Sequence, residues 1–158
     1  MRDKVIITAR HLGLDVRVAS APAPAQTENA AALAVGCEEA RLARTEVFVA
    51  DGEPVAVVAP GGATIDPNLL CALLDCAEVR PASASEVRAV TGFPVTGVCC
   101  IGHELPVVLD EALLEQERVW TRAGDASSFV ELSVRELVER VGATVGPVAT
   151  ANGSAASS

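Results

Sequence analysis

The chain has 158 residues and a net charge of −9; half of its residues are hydrophobic, but aromatics are only 3%. That length supports one domain with its own core, built from Val, Leu, Ile and Ala. The acidity argues against broad nucleic-acid binding through a basic face, which needs clustered Lys and Arg, and no apolar run approaches the roughly 20 residues of a membrane helix. A small pocket taking only the end of a nucleic acid is compatible with the charge. The opening "MRDKVIITARHLGLD" is too polar for a signal peptide, so a cytoplasmic protein is expected.

Residues 2–12 read as a short helix stopped near Gly13, followed by a strand over Val16–Ala19. After the Pro/Ala connector "SAPAPAQ", Thr27 is a good N-cap for the helix "TENAAALAVG", with Gly36 as its stop. "EVFVADGEPVAVVAP" is the clearest hairpin: two β-branched runs flank Asp51-Gly52, which supplies the positive φ of a tight turn. Asp66 and Pro67 open a helix over "NLLCALLDC". Ser83 and Glu86 form a capping box whose helix ends at Gly92. "LPVVLDEALL" reads as a strand entering a short helix, and "ERVWTRAG" and "SSFVEL" as a strand pair. Ser133 and Glu136 repeat the capping box before "VRELVERVG". The domain is expected over residues 1–145, with a disordered tail over 146–158. Interspersed helices and strands around a hairpin indicate a single α+β domain with a mixed sheet.

The five cysteines are Cys37, Cys71, Cys76, Cys99 and Cys100. An odd count without a signal peptide argues against a disulfide framework and for buried free thiols. "TGFPVTGVCCIGH" concentrates the chemistry: Cys99, Cys100 and His103 among three glycines. Adjacent cysteines point apart and miss the usual zinc spacing, and no Cys-x-x-Cys redox pair is present. A thiolate nucleophile needs a positioned base, for which His103 is a candidate. Gly92, Gly97 and Gly102 with Pro94 imply a bent loop, either for close approach to a ligand or as a plain helix-to-strand connector.

The ordered series "TENAAALAVG", "LARTEVFVADGEPVAVVAPGG", "IDPNLL", "ASASEVRAVTGFPVTGV" with "IGH", "LPVVLDEALL" and "RVWTRAGDASSFVELSVRELVERVGA" spans about residues 24–145. It resembles the YbaK/ProX family of aminoacyl-tRNA deacylases, which includes the editing domain inserted in some prolyl-tRNA synthetases. The resemblance implies a mixed, partly barrel-like sheet with surrounding helices. It implies hydrolysis of the ester joining a wrong amino acid to tRNA, with Cys- or Ala-tRNA(Pro)-like substrates and no metal or organic cofactor. Water attacks the ester, helped by backbone groups of a glycine-containing loop and by the terminal ribose. The implied partners are the acceptor end of aminoacyl-tRNA and an aminoacyl-tRNA synthetase, with neither membrane nor DNA.

Two positions depart from the family pattern. The family's functional lysine precedes the first hairpin strand, where "ARTEVF" has Arg44. Arginine keeps the charge but is larger and planar. The family's loop reads Gly-Gly-Val-(Pro or Ser)-Pro, where this chain has Thr96, Gly97, Val98, Cys99 and Cys100. Carried over residue by residue, Arg44, Gly97 and Val98 are the catalytic candidates. Thr96, Cys99, Cys100 and His103 join them as substrate contacts, with Thr27 and with Gly124, Asp125 and Ser127 of the "GDASSF" turn. Each has a plainer reading: Thr27 as a helix cap, His103 as a brace of its turn, Asp125 and Ser127 as turn residues. On this resemblance Arg44, Gly97, Val98 and His103 share one pocket. The alternative to a deacylase is a non-catalytic descendant that binds an aminoacyl or nucleotide ligand, or a protein partner.

Overall fold

A computed structural model describes residues 2–25 and 27–151. In chain order the elements are α1 (Arg2–Leu12), β1 (Arg17–Ser20), α2 (Glu28–Val35), β2 (Leu42–Ala50), β3 (Glu53–Pro60), β4 (Ala63–Ile65), α3 (Pro67–Leu74) and β5 (Val79–Pro81). There follow α4 (Ala84–Thr91), β6 (Val107–Asp110), β7 (Arg118–Arg122), β8 (Ser128–Ser133), α5 (Val134–Val141), β9 (Thr144–Gly146) and β10 (Ala149–Ala151). The main sheet runs β1-β8-β7-β2-β3-β6-β9, with β5 also on β2, while β4 and β10 form a separate pair. The sheet is mixed. The β2–β7, β3–β6 and β6–β9 pairs are parallel and the others antiparallel.

The hairpin is the scaffold. Asp51 (φ 48°) and Gly52 (φ 84°) turn β2 into β3, and the ladder extends from Ala50↔Glu53 to Ala43↔Pro60. Both faces of β3 are covered, which is why it reads as a continuous apolar run. Ala56 and Val58 enter the larger core with Val5, Val87, Cys99 and Leu137, from α1, α4, the following loop and α5. Val55, Val57 and Ala59 face a second cluster with Leu70 of α3 and Val148. A third cluster packs Ala31 of α2 on Leu42 and Phe129. Among the described residues, no helix is long and apolar enough to cross a membrane.

The caps at Thr27, Asp66 and Ser83 form as their sequences predict, and Gly36, Gly92 and Gly142 end their helices in the left-handed conformation. At α5 only half of the box forms. Ser133 accepts from the Glu136 N–H, but Glu136 Oε1 accepts from the Asp15 N–H instead of reaching back. Ser133 is also the last residue of β8, paired with Arg118.

The expected disordered tail from residue 146 is corrected up to Ala151. β10 pairs with β4, and the Val148 side chain is fully buried. Buried Asp110 holds this return, its Oδ1 accepting from the Val148 N–H at 2.9 Å and the Ala149 N–H at 3.1 Å. The expectation for residues 152–158 lies outside the described residues.

Candidate active site

β2 carries alternate side chains to one face, so Arg44 and Glu46 are neighbours two positions apart. They form an ion pair, and Arg44 Nη2 also donates to the Ala63 carbonyl at 2.7 Å. These two residues line a cavity of about 240 Å³ with Thr45, Ala43, Ala25, Glu28, Val95, Thr96, Val98 and Arg122. Sites that bury whole drug-sized ligands run to roughly 300–1,000 Å³. This cavity is smaller.

Its charges alternate and balance. Arg122 Nη2 lies 3.6 Å from Glu28 and 3.4 Å from the Thr27 carbonyl, and its guanidinium sits 5.7 Å from the centre of the Phe129 ring. Burial pulls Arg44 below the ordinary arginine range, opposed by the charge of Glu28. The Thr45 hydroxyl is buried without a hydrogen-bond partner among the described residues.

The loop above the cavity is built by close approach. After α4, Pro94–Gly97 makes a single 3-10 turn in which the Gly97 N–H donates to the Pro94 carbonyl at 2.9 Å. The Gly97 carbonyl accepts from the Gly124 N–H, also at 2.9 Å. A Cβ at residue 97 would stand 2.4 Å from both the Gly124 carbonyl carbon and the Asp125 nitrogen, so only glycine fits against that backbone. The opposing turn is rigid. Asp125 Oδ1 accepts from the N–H groups of Ser127 and Ser128, each at 2.8 Å, and Oδ2 accepts from the Ser128 hydroxyl at 3.1 Å.

The sequence candidates therefore separate. Arg44, Thr96 and Val98 line the cavity, with Gly97 buried between the last two against Gly124 and Asp125. Thr27 caps α2 by accepting from the Ala30 N–H, and its carbonyl meets Arg122. Ser127 lies in the turn, its carbonyl accepting from the Ala21 N–H.

Cys99 and Cys100 are buried in the main core. His103 does not share the Arg44 cavity as expected: it lines another, of about 270 Å³, with Cys100, Leu105 and Arg140. Its Nδ1 accepts from the Leu105 N–H at 3.2 Å, which leaves the proton on Nε2 to donate to the Cys99 carbonyl at 3.1 Å. Burial pulls its pKa below the usual 6.5. Protonating Nδ1 would also set a proton against the Leu105 N–H.

Three charged residues of the cavity, Glu28, Glu46 and Arg122, are not among the sequence candidates. Glu46 was legible from strand alternation with Arg44. Glu28 reads as a first-turn helix acid, and nothing local shows that it faces Arg122. Arg122 reaches the cavity through the parallel β2–β7 pairing, which chain order does not reveal.

A family model described as an aminoacyl-tRNA editing domain matches residues 22–139. The chain belongs to that family. This editing domain is 34% identical over 116 residues to the uncharacterized protein YwhH of Bacillus subtilis (strain 168), covering 72% of this chain and 73% of that one. It is 37% identical over 76 residues to a proline–tRNA ligase of Geobacter metallireducens, covering 48% of this chain but 13% of the ligase. Among solved structures, one described as a proposed trans-editing enzyme for prolyl tRNA synthetase superposes with a TM-score of 0.86 at 30% identity, covering 94% of this chain and 96% of that one. The editing-domain fold expected from the sequence is therefore the fold observed.

Proposed function

We propose that this editing domain acts in trans as a deacylase, hydrolysing the ester of a mischarged tRNA of the Cys- or Ala-tRNA(Pro) kind. Water adds to the ester carbonyl, the bond to the ribose oxygen breaks, and the products are a free amino acid and a tRNA with its terminal hydroxyl restored. The observation that carries this reading is the seating of Gly97 on the Gly124–Asp125 turn, which fixes the Thr96–Val98 backbone at the mouth of the Arg44 cavity. Preorganised backbone groups of this kind serve where charge develops on a carbonyl oxygen.

Arg44 in this reading binds rather than transfers protons, because a guanidinium is a permanent cation near neutral pH. Its bond to the Ala63 carbonyl fixes the fork, and the terminal adenosine or its phosphate competes with Glu46 for the free edge. The cavity's size suits a small aminoacyl group. Its balanced charge is consistent with a contact limited to the acceptor end, and a synthetase is the natural second partner for a domain that sorts its products.

One observation favours the rival reading, a non-catalytic module for an aminoacyl or nucleotide ligand: Arg44 is already paired with Glu46. A deacylation panel decides. Purified protein is incubated with misacylated tRNAs of several identities, including Cys- and Ala-tRNA(Pro). Release above buffer for a small aminoacyl group on tRNA(Pro) is expected; release from none supports the binding module.

A further inference from the structure

The end of α3 brings two cysteines together, away from the Arg44 cavity. Asp75 takes the left-handed conformation (φ 55°) and donates its N–H to the Cys71 carbonyl. The Cys76 N–H donates to the same carbonyl at 3.1 Å. A helix that ends this way places the side chain four positions before its left-handed residue against the one immediately after it, ordinarily as an apolar contact. Here both positions are cysteine. The Cys76 thiol donates to Cys71 Sγ at 2.9 Å, and the Cys71 thiol donates to the Cys76 carbonyl at 2.6 Å.

The flanking chain holds this arrangement. Leu70 is fully buried one residue before Cys71. Immediately after Cys76, Asp51 Oδ1 accepts from the N–H groups of Ala77 at 3.0 Å and Glu78 at 2.9 Å. Both cysteines are partly exposed, unlike Cys99 and Cys100, and Cys71 lines an open surface groove with Pro67, Asn68, Ala77 and Arg80. A small-molecule oxidant therefore has access to a preformed pair.

We propose that Cys71 and Cys76 form a thiol–disulfide site, closed into an intrachain disulfide by a low-molecular-weight disulfide and reopened by a thiol. The Cys71 thiolate attacks the oxidant, forming a mixed disulfide and releasing one thiol. Cys76 then attacks the Cys71 sulfur, breaks the mixed disulfide and releases the second thiol. The protein loses two electrons and two protons, and the oxidant gains both. The hydrogen bond to Cys71 pushes the Cys76 thiol up to about 11, so Cys76 is held protonated while Cys71 is reduced and Cys71 makes the first attack; converting Cys71 to the mixed disulfide removes that bond before Cys76 attacks. The proposal does not rest on the deacylase reading, since neither cysteine lines the Arg44 cavity.

The test uses the reduced full chain equilibrated with glutathione buffers of increasing oxidised fraction, followed by alkylation of the remaining thiols and peptide mass spectrometry. The peptide carrying both cysteines is expected to lose two hydrogens and both alkylation sites together, reversibly with dithiothreitol. Two of the five thiols would disappear as a unit. Cys71→Ser and Cys76→Ser should each retain a glutathione adduct on the remaining partner. Wild-type protein that accumulates a glutathione adduct at either position, or whose Cys71 and Cys76 both stay alkylatable in the most oxidising buffer, would overturn the proposal.

Discussion

The segment from Val95 to His103 divides in two. Its first half lies at the Arg44 cavity: Val95, Thr96 and Val98 line it, and Gly97 locks onto the facing turn. Its second half turns inward. Cys99 and Cys100 sit in the main core, and the hydrogen bonds of His103 tie Cys99 to Leu105. The residue types most associated with catalysis occupy the half that holds the fold, and the plain ones border the cavity. If the proposed function holds, reactivity of a side chain is a poorer guide to this site than the places where backbone is forced into close approach.

Gly97→Ala should break the first half most severely. The new Cβ meets backbone at 2.4 Å, so the loop or the turn must move. A shift of this kind costs about 1–3 kcal/mol of stability, and a displacement near 1 Å lowers the rate about a hundredfold. Thermal melts and single-turnover deacylation measure the two effects separately.

Cys99→Ser and Cys100→Ser sharpen the contrast from the other side. Each places a hydroxyl where a fully buried thiol now packs, which costs about 1–3 kcal/mol if it finds no partner. Denaturant melts should show that loss while the deacylation rate of the folded fraction stays unchanged. A rate loss larger than the folding loss would return these thiols to the site.

The smallest effect belongs to His103. Its folded pKa is depressed by burial, so the unfolded chain binds the proton more readily. The sign follows: its contribution to stability is complete above pH about 6.5 and is lost as pH falls through the lower folded value. His103→Gln should flatten the acid-side slope of stability against pH relative to wild type, with no change in the pH profile of hydrolysis. An identical slope would show that His103 has the same pKa in the folded and unfolded chain, contradicting the depression by burial.

Much of the fold was legible because local signals and tertiary structure agree. Asp51-Gly52 demands a tight turn, and Thr27, Asp66 and Ser83 each cap the helix that follows them. The tail was misread because its order depends on Asp110, a buried carboxylate taking two N–H groups from residues 148 and 149. No local pattern in the tail signals such a partner. Of the candidate site, the resemblance supplied Arg44 and the Thr96–Val98 loop, which meet at one cavity. Glu28 and Arg122 stayed hidden, since their meeting depends on how α2 and β7 are brought together across the sheet. His103 lies five residues from Val98 in sequence, yet the inward turn of the chain at Cys99 carries it to a different cavity.

The central claim is that the Arg44 cavity is where the ester is hydrolysed, and single-turnover deacylation of misacylated tRNA(Pro) by wild type, Arg44→Ala and Arg44→Lys tests it most directly, with melts as the folding control. Loss of a charged contact is worth about 1.5–3 kcal/mol, so Arg44→Ala should fall on the order of tenfold to a hundredfold in catalytic efficiency with its fold intact. Arg44→Lys should keep or raise the wild-type rate. Equal rates for wild type and Arg44→Ala would contradict the claim and reduce Arg44 to a structural partner of Glu46 and Ala63.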